Sequence, residues 1–173
     1  MSELTPEVLH LLARLDPVLE AFGADIAVVR LCAYSLTMAS DNPANQMSLM
    51  VALPLLQTML ANFSHDSDIV NSCVHCLVSL AERPGNRSIL AQFVPVACAM
   101  LDLHGVAVSV IAGHCVLFFM YLAQQRVPLP VEPELLIPYV QRVLVMHGYD
   151  AVISDYCAKC VTELEKVQIM QPK

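Results

Sequence analysis

Apolar residues recur at intervals of three and four along most of the chain, which is the spacing of helices that bury one face. The first fifteen residues already show it, with apolar side chains at Leu4, Val8, Leu11 and Leu15. Strand-like alternation and the Asn-Gly or Asp-Gly pairs typical of tight hairpins are missing from the sequence. The pattern therefore predicts an all-α fold.

Capping residues and prolines divide the N-terminal part of this pattern into segments. Residues 1-15 are predicted to form an N-terminal helix or cap, and Asp16-Pro17 places a capping residue before a proline suited to a first helical turn. A short segment is expected from there to Gly23. Asp25 is expected to cap the next helix, which should extend to about Ser40.

The pattern then repeats. A step of 41 residues takes Asn45 to Asn86 and Pro54 to Pro95, and a step of 42 aligns the long segments 69–81 and 111–123. Weaker copies lie upstream and downstream, and Pro54, Pro95 and Pro138 are each expected to start a second helix. This period predicts a single helical repeat domain over 1-173, with units at approximately 17-41, 45-82, 86-124 and 133-167.

Several phrases in these units resemble the armadillo repeat, with its short first helix, a second helix after a proline and a long third helix. They are Asn45-Gln46, Leu53-Pro54-Leu55-Leu56 and Leu77-Val78-Ser79-Leu80-Ala81. The resemblance covers residues 17–166. It implies a right-handed α-solenoid of about four armadillo-like repeats, an architecture used mostly for binding scaffolds.

The same resemblance implies a concave groove lined by the third helices. In the family a Trp and an Asn four residues apart often clamp an extended peptide there, but this chain has no Trp and other residues occupy those positions. Binding of a basic peptide through an asparagine ladder is therefore not expected. The groove is expected to carry mixed aromatic, apolar and polar side chains, with Gly113 and Asp155 on the same faces. The expected protein-binding residues are Arg30, Tyr34, Met38, Asn71, His75, Ser79, Leu117, Tyr121, Lys159 and Glu163.

The segment Val106 to Ala123 is apolar almost throughout and raises the question of a membrane span. It contains His114 and aligns with residues 69–81, which carry several polar side chains. We therefore expect a buried third helix and no transmembrane span. Its core face is expected to consist of Ile111, Cys115, Phe119 and Leu122.

Composition narrows the choice of function. The chain is 57% apolar and 14% charged, with a formal net charge of −7 and no cluster of Lys and Arg, which argues against a nucleic-acid partner. The acidic N-terminus does not resemble a secretory signal, so the expected location is cytoplasmic, with seven reduced cysteines.

Two Cys-x-x-Cys pairs, Cys73/Cys76 and Cys157/Cys160, resemble half-sites for zinc or a redox dithiol. The repeat phase favours small buried thiols instead. Four of the cysteines occupy one equivalent position that should face inward, namely Cys32, Cys73, Cys115 and Cys157. No catalytic constellation is evident, so no enzyme activity, cofactor or metal is expected.

Two functions of different kinds remain open. The first is a non-catalytic protein-interaction module that binds a peptide or protein segment in the groove. The second is an assembly or scaffold subunit that self-associates, as a homo-oligomer, or docks through its end surfaces. A zinc or redox protein using the Cys-x-x-Cys pairs is a minor alternative.

Overall fold

The computed structural model describes residues 5–125 and 128–170. Every regular element within these residues is helical, which confirms the all-α prediction. The α-helices are α1 (Pro6–Phe22), α2 (Ile26–Ser40), α3 (Leu53–Asn62), α4 (Ser67–Glu82), α5 (Arg87–Leu90), α6 (Val94–His104), α7 (Ser109–Gln124), α8 (Pro133–His147) and α9 (Ala151–Met170). Short 3-10 segments span Ser48–Ala52, Pro84–Asn86 and Ala91–Phe93.

The chain divides into two compact units, residues 1–83 and 84–173. In the first unit α2 packs along α4, while α1 lies against α2 and α3 against α4. Leu36, Leu56 and Leu77 are fully buried in its core. Asp25 caps α2 as predicted, because its carboxylate accepts a hydrogen bond from the Ala27 amide at 2.9 Å.

The predicted break at Asp16-Pro17 is wrong, since α1 runs without interruption from Pro6 to Phe22. Proline removes one helical hydrogen bond, and its ring crowds the carbonyl four residues earlier. In α1, Ala13, Asp16 and Pro17 are all exposed, so water can satisfy the carbonyl that loses its donor. A proline on the solvent side of a helix can therefore be accommodated within it.

The second unit also pairs two long helices. In it α7 packs along α9, with α6 against α7 and α8 against α9, around a core that includes Leu101, Phe118 and Phe119. Pro54 and Pro95 lie in the first turns of α3 and α6, as predicted. Pro138 does not start a helix; it lies inside α8, which begins at Pro133, and it is exposed like Pro17.

The apolar stretch around Val106 to Ala123 forms the loop before α7 and most of α7 itself. Ile111, Cys115, Phe119 and Leu122 are fully buried, as expected of its core face. Among the described residues no helix is both long and apolar enough to cross a membrane. The apolar character of α7 is thus explained by its burial within the second unit.

Candidate protein-interaction surfaces

The predicted groove residues of the first unit lie along α2 and α4. Val29, Cys32 and Leu36 occupy the buried side of α2, which leaves Arg30, Tyr34 and Met38 on its exposed side. On α4, Asn71 and His75 are half-buried, whereas Ser79 is buried. The helical period therefore places most of these side chains on an accessible face, with Ser79 as the exception.

Arg30 joins α2 to the start of α4. Its Nη2 lies 2.6 Å from Oδ2 of Asp66, its Nε lies 3.2 Å from both carboxylate oxygens, and its Nη1 lies 3.4 Å from Oδ2 of Asp68. Asp66 also caps α4 by accepting from the amide of Ile69 at 3.0 Å. The hydrogen bond from Arg30 is the main cause of the lowered pKa of Asp66, so this carboxyl stays ionised. Arg30 therefore has a structural partner as well as an accessible position.

Asp41 provides a hydrogen-bond partner for the hydroxyl of the buried Ser79. Asp41 caps the end of α2, and its Oδ1 lies 3.1 Å from Nε2 of His75 and accepts a hydrogen bond from Oγ of Ser79 at 3.1 Å. Two of the predicted groove residues thus converge on one carboxylate. The sequence pattern did not point to Asp41, because it follows the last residue of the helix, outside the repeating apolar positions.

In the second unit, five residues of α7 face the beginning of α9 across a concavity of about 270 Å³. One side is lined by Ser109, Val110, Gly113, His114 and Leu117. The other side consists of Asp150 and three residues of α9, Val152, Ile153 and Tyr156. We call this concavity the α7–α9 pocket. It contains Leu117, one of the predicted binding residues, and Gly113, which the sequence placed on the same face.

Gly113 forms part of the wall of this pocket. A Cβ added there would meet Ile153 Cγ1 at 3.5 Å and Cδ1 at 3.8 Å, which are ordinary van der Waals distances. The packing of α7 on α9 therefore does not require a glycine. A glycine inside a helix costs about 1 kcal/mol relative to alanine.

Lys159 and Glu163 line a separate concavity of about 390 Å³ together with Gln124, Ala158 and Thr162. Both side chains form ion pairs within α9. Lys159 Nζ lies 2.7 Å from Asp155 Oδ2, and Lys166 Nζ lies 2.7 Å from Glu163 Oε1. The pKa of Lys159 is raised chiefly by its hydrogen bond to Asp155. This part of the predicted surface is charged, whereas the α7–α9 pocket is largely apolar.

Tyr121 is half-buried and packs against a cation. The guanidinium carbon of Arg87 lies 5.3 Å from the centroid of its ring, within the range of a cation–π interaction. Arg87 belongs to the short helix α5 and is itself buried. Tyr121 therefore contributes to packing within the unit, so replacing it would change more than a binding surface.

All seven cysteines are free and buried. The four that occupy the equivalent inward position, Cys32, Cys73, Cys115 and Cys157, are each at most 3% exposed, as the repeat phase predicted. Burial raises the pKa of Cys98 and Cys157 to about 11 and that of Cys76 to about 12. In the part of the chain that the structure describes, no group of three or more His, Cys, Asp or Glu residues is arranged to hold a metal ion.

Comparison with known proteins does not assign the chain to a family: no family model, curated protein or solved structure matches it. Its function must therefore be argued from the surfaces described above.

Proposed function

We propose that the chain is a non-catalytic protein-interaction module of the armadillo-like α-solenoid type, which binds a peptide or protein segment along its long helices. The observation that carries the proposal is the α7–α9 pocket with Gly113 in its wall. The armadillo-like phrases in the sequence support the architecture. The side-by-side packing of the long helices within each unit is consistent with it.

The choice of glycine favours a binding role for the pocket. Alanine at position 113 would fit against Ile153 and would make α7 intrinsically more stable. Glycine instead leaves open the space beside Ile153, in the wall of the pocket, that a Cβ would occupy. An open apolar space maintained at the expense of helix stability is more useful to a ligand than to the fold.

The dimensions and chemistry of the pocket indicate the kind of ligand. Clefts that enclose small molecules typically measure about 300–1,000 Å³, and this pocket is slightly smaller. Its lining has four aliphatic side chains, together with one phenol, one imidazole, one carboxylate and the Ser109 hydroxyl. It suits one bulky apolar side chain of a peptide whose remaining residues lie along α7 and α9.

Val110 and Val106 provide a matched pair for testing this proposal. The two valines are exposed to nearly the same degree, 52% and 55%, but only Val110 lines the pocket. Linear peptides would be selected against the full chain from a random display library. Their affinity would then be measured for the wild type and for Val110→Asp and Val106→Asp.

We expect the selected peptides to share one bulky apolar residue. Their affinity should fall about tenfold or more in Val110→Asp, because the anchor would then bury a charge, and should be unchanged in Val106→Asp. Methyl NMR signals of Leu117 and Ile153 should shift on binding. Peptides that bind both variants as tightly as the wild type would contradict the proposal.

A second candidate function, assembly through exposed helical faces, is favoured by apolar side chains on the last two helices and the turn between them. Val145 on α8 and Tyr149 are each more than 80% exposed, and Ile169 on α9 is similarly accessible. Large exposed apolar side chains of this kind often mark interfaces. Light scattering over a range of concentrations tests it: self-association that Val145→Lys abolishes would support assembly, whereas a monomer at every concentration would argue against it.

A further inference from the structure

The exposed side of α2 carries a continuous apolar stripe in the first unit. Ala27, Leu31, Tyr34 and Met38 follow one another at intervals of four, three and four, so they lie above each other on one face. Leu31, Tyr34 and Met38 are 67%, 56% and 54% exposed. The core side of α2 is formed by other residues, so folding does not account for this stripe.

The spacing of the stripe matches the side-chain pattern of helix-on-helix packing. Intervals of three and four are those of the seam between two packed helices. From Ala27 to Met38 the stripe covers about three helical turns, or roughly 16 Å of helix. A partner helix of similar length, with apolar residues at the same intervals, would cover it.

The distribution of charge indicates the chemistry of that partner. Residues 1–83 contain nine acidic and three basic residues and no lysine, which gives them a formal charge of −6. The remaining residues contain seven acidic and six basic residues, for a charge of −1. The first unit therefore carries nearly all of the negative charge of the chain.

Carboxylates lie at both ends of the stripe. Asp25 caps the start of α2 and Asp41 caps its end. The one basic residue of α2, Arg30, is paired with two carboxylates, Asp66 and Asp68, so this cluster keeps a net negative charge. The apolar stripe is thus bordered by excess negative charge.

From these observations we propose that the α2 stripe binds an amphipathic α-helix of a partner protein, whose apolar residues are flanked by Lys and Arg. Charge complementarity favours such a helix over other occupants. A second copy of this chain, docked α2 against α2, would bring two acidic rims together. Anionic lipid headgroups would meet the same repulsion. This surface lies in the first unit and does not depend on the α7–α9 pocket.

Two synthetic peptides of equal length test the proposal against the full chain. Both carry leucines at intervals of four, three and four; one has lysines at the flanking positions and the other has glutamates. We expect the lysine peptide to bind, with an affinity that falls as salt is added, and the glutamate peptide to bind at least about tenfold more weakly. Hydrogen exchange should show protection of α2 on binding of the lysine peptide.

Leu31→Ser and Leu103→Ser are the matched variants. Both leucines are exposed on helices, but only Leu31 belongs to the stripe. Leu31→Ser should weaken binding of the lysine peptide about tenfold and Leu103→Ser should not. Asp25→Asn isolates the charge, because asparagine caps a helix as well as aspartate does. It should weaken binding at low salt and have little effect at high salt.

Several results would overturn the proposal. Equal binding of the two peptides would remove the charge argument, and equal effects of the two leucine variants would place the peptide elsewhere. A wild-type dimer that Leu31→Ser converts to a monomer would identify a second copy as the occupant. Val110→Asp should leave binding of the lysine peptide unchanged, so failure of the pocket proposal and failure of this one are distinguishable.

Discussion

Replacing Gly113 with alanine should stabilise the protein. Gly113 lies within α7, and its backbone is helical, so alanine can adopt the same conformation without strain. The added Cβ would contact Ile153 Cγ1 at 3.5 Å and Cδ1 at 3.8 Å. The substitution therefore fills space in the α7–α9 pocket without displacing backbone atoms.

Two terms contribute to the expected magnitude. Alanine is favoured over glycine inside a helix by about 0.5–1 kcal/mol, chiefly because it restricts the unfolded chain. Burying one additional methyl group against Ile153 adds up to about 0.8 kcal/mol. We expect the free energy of unfolding to rise by about 1 kcal/mol, which corresponds to an increase of about 2–4 °C in Tm for a chain of this length.

Urea unfolding followed by circular dichroism measures this change, and Gly105→Ala provides the matched control. Gly105 follows the last residue of α6, and a Cβ there would lie 2.5 Å from the Leu101 carbonyl oxygen, which is too close for any contact with carbon. Gly105→Ala should therefore destabilise by about 1–3 kcal/mol. A lower stability of Gly113→Ala would mean that α7 and α9 pack more tightly at Ile153 than these distances allow. If Gly113→Ala raises stability and leaves peptide binding unchanged, the binding role assigned to Gly113 fails while the packing argument stands.

Three further predictions concern other parts of the molecule. Asp66→Asn should lower the free energy of unfolding by about 1 kcal/mol at neutral pH through loss of the ion pair with Arg30. Because the pKa of Asp66 is lowered in the fold, the difference in this free energy between variant and wild type, measured by urea unfolding, should shrink as the pH falls below the ordinary value of 3.8. His147→Ala should lower the free energy of unfolding by about 1–3 kcal/mol, since this buried side chain donates a hydrogen bond from Nε2 to the Gly105 carbonyl. A decrease below about 0.5 kcal/mol, as at an ordinary surface site, would contradict this role. The contribution of the buried thiols to the free energy of unfolding should be constant below about pH 8 and should fall between pH 9 and pH 11, because thiols ionise near pH 9 when unfolded, whereas burial raises the pKa of Cys98 and Cys157 to about 11. Cys98→Ala should reduce this alkaline loss, and an unchanged pH profile would contradict the assignment.

Local rules predicted much of the secondary structure. Apolar spacing identified the helices, and Asp25 caps α2 where the sequence predicted it. Pro17 and Pro138 were assigned wrongly, because a proline on the exposed side of a helix gives the same sequence signal as one in the first turn. Their exposure depends on which side of the helix is buried against its neighbours.

The candidate surfaces were predicted only in part. The repeat phase placed Tyr34 and Met38 on a face of α2 that is exposed in the structure. It assigned Leu117 to a groove, and the structure shows this residue lining the α7–α9 pocket. Asp41 could not be found in this way, because it lies beyond the periodic segment and acts only through His75 and Ser79 on another helix. The role of Gly113 likewise depends on the position of Ile153, forty residues away.

The sequence by itself determined the all-helical class, the bounds of α2, the starts of α3 and α6 and the inward-facing cysteines, because these follow from spacing along one helix and from caps and prolines within a few residues. Only the tertiary structure decided which side chains pair across helices, such as Arg30 with Asp66, Asp41 with His75 and Arg87 with Tyr121. A hydrophobic period identifies the buried face of a helix but leaves open how far it slides and rotates against its neighbour. Hydrogen bonds and ion pairs form only within about one ångström of their ideal distance. The relative position of the two helices therefore decides which of these pairs exist.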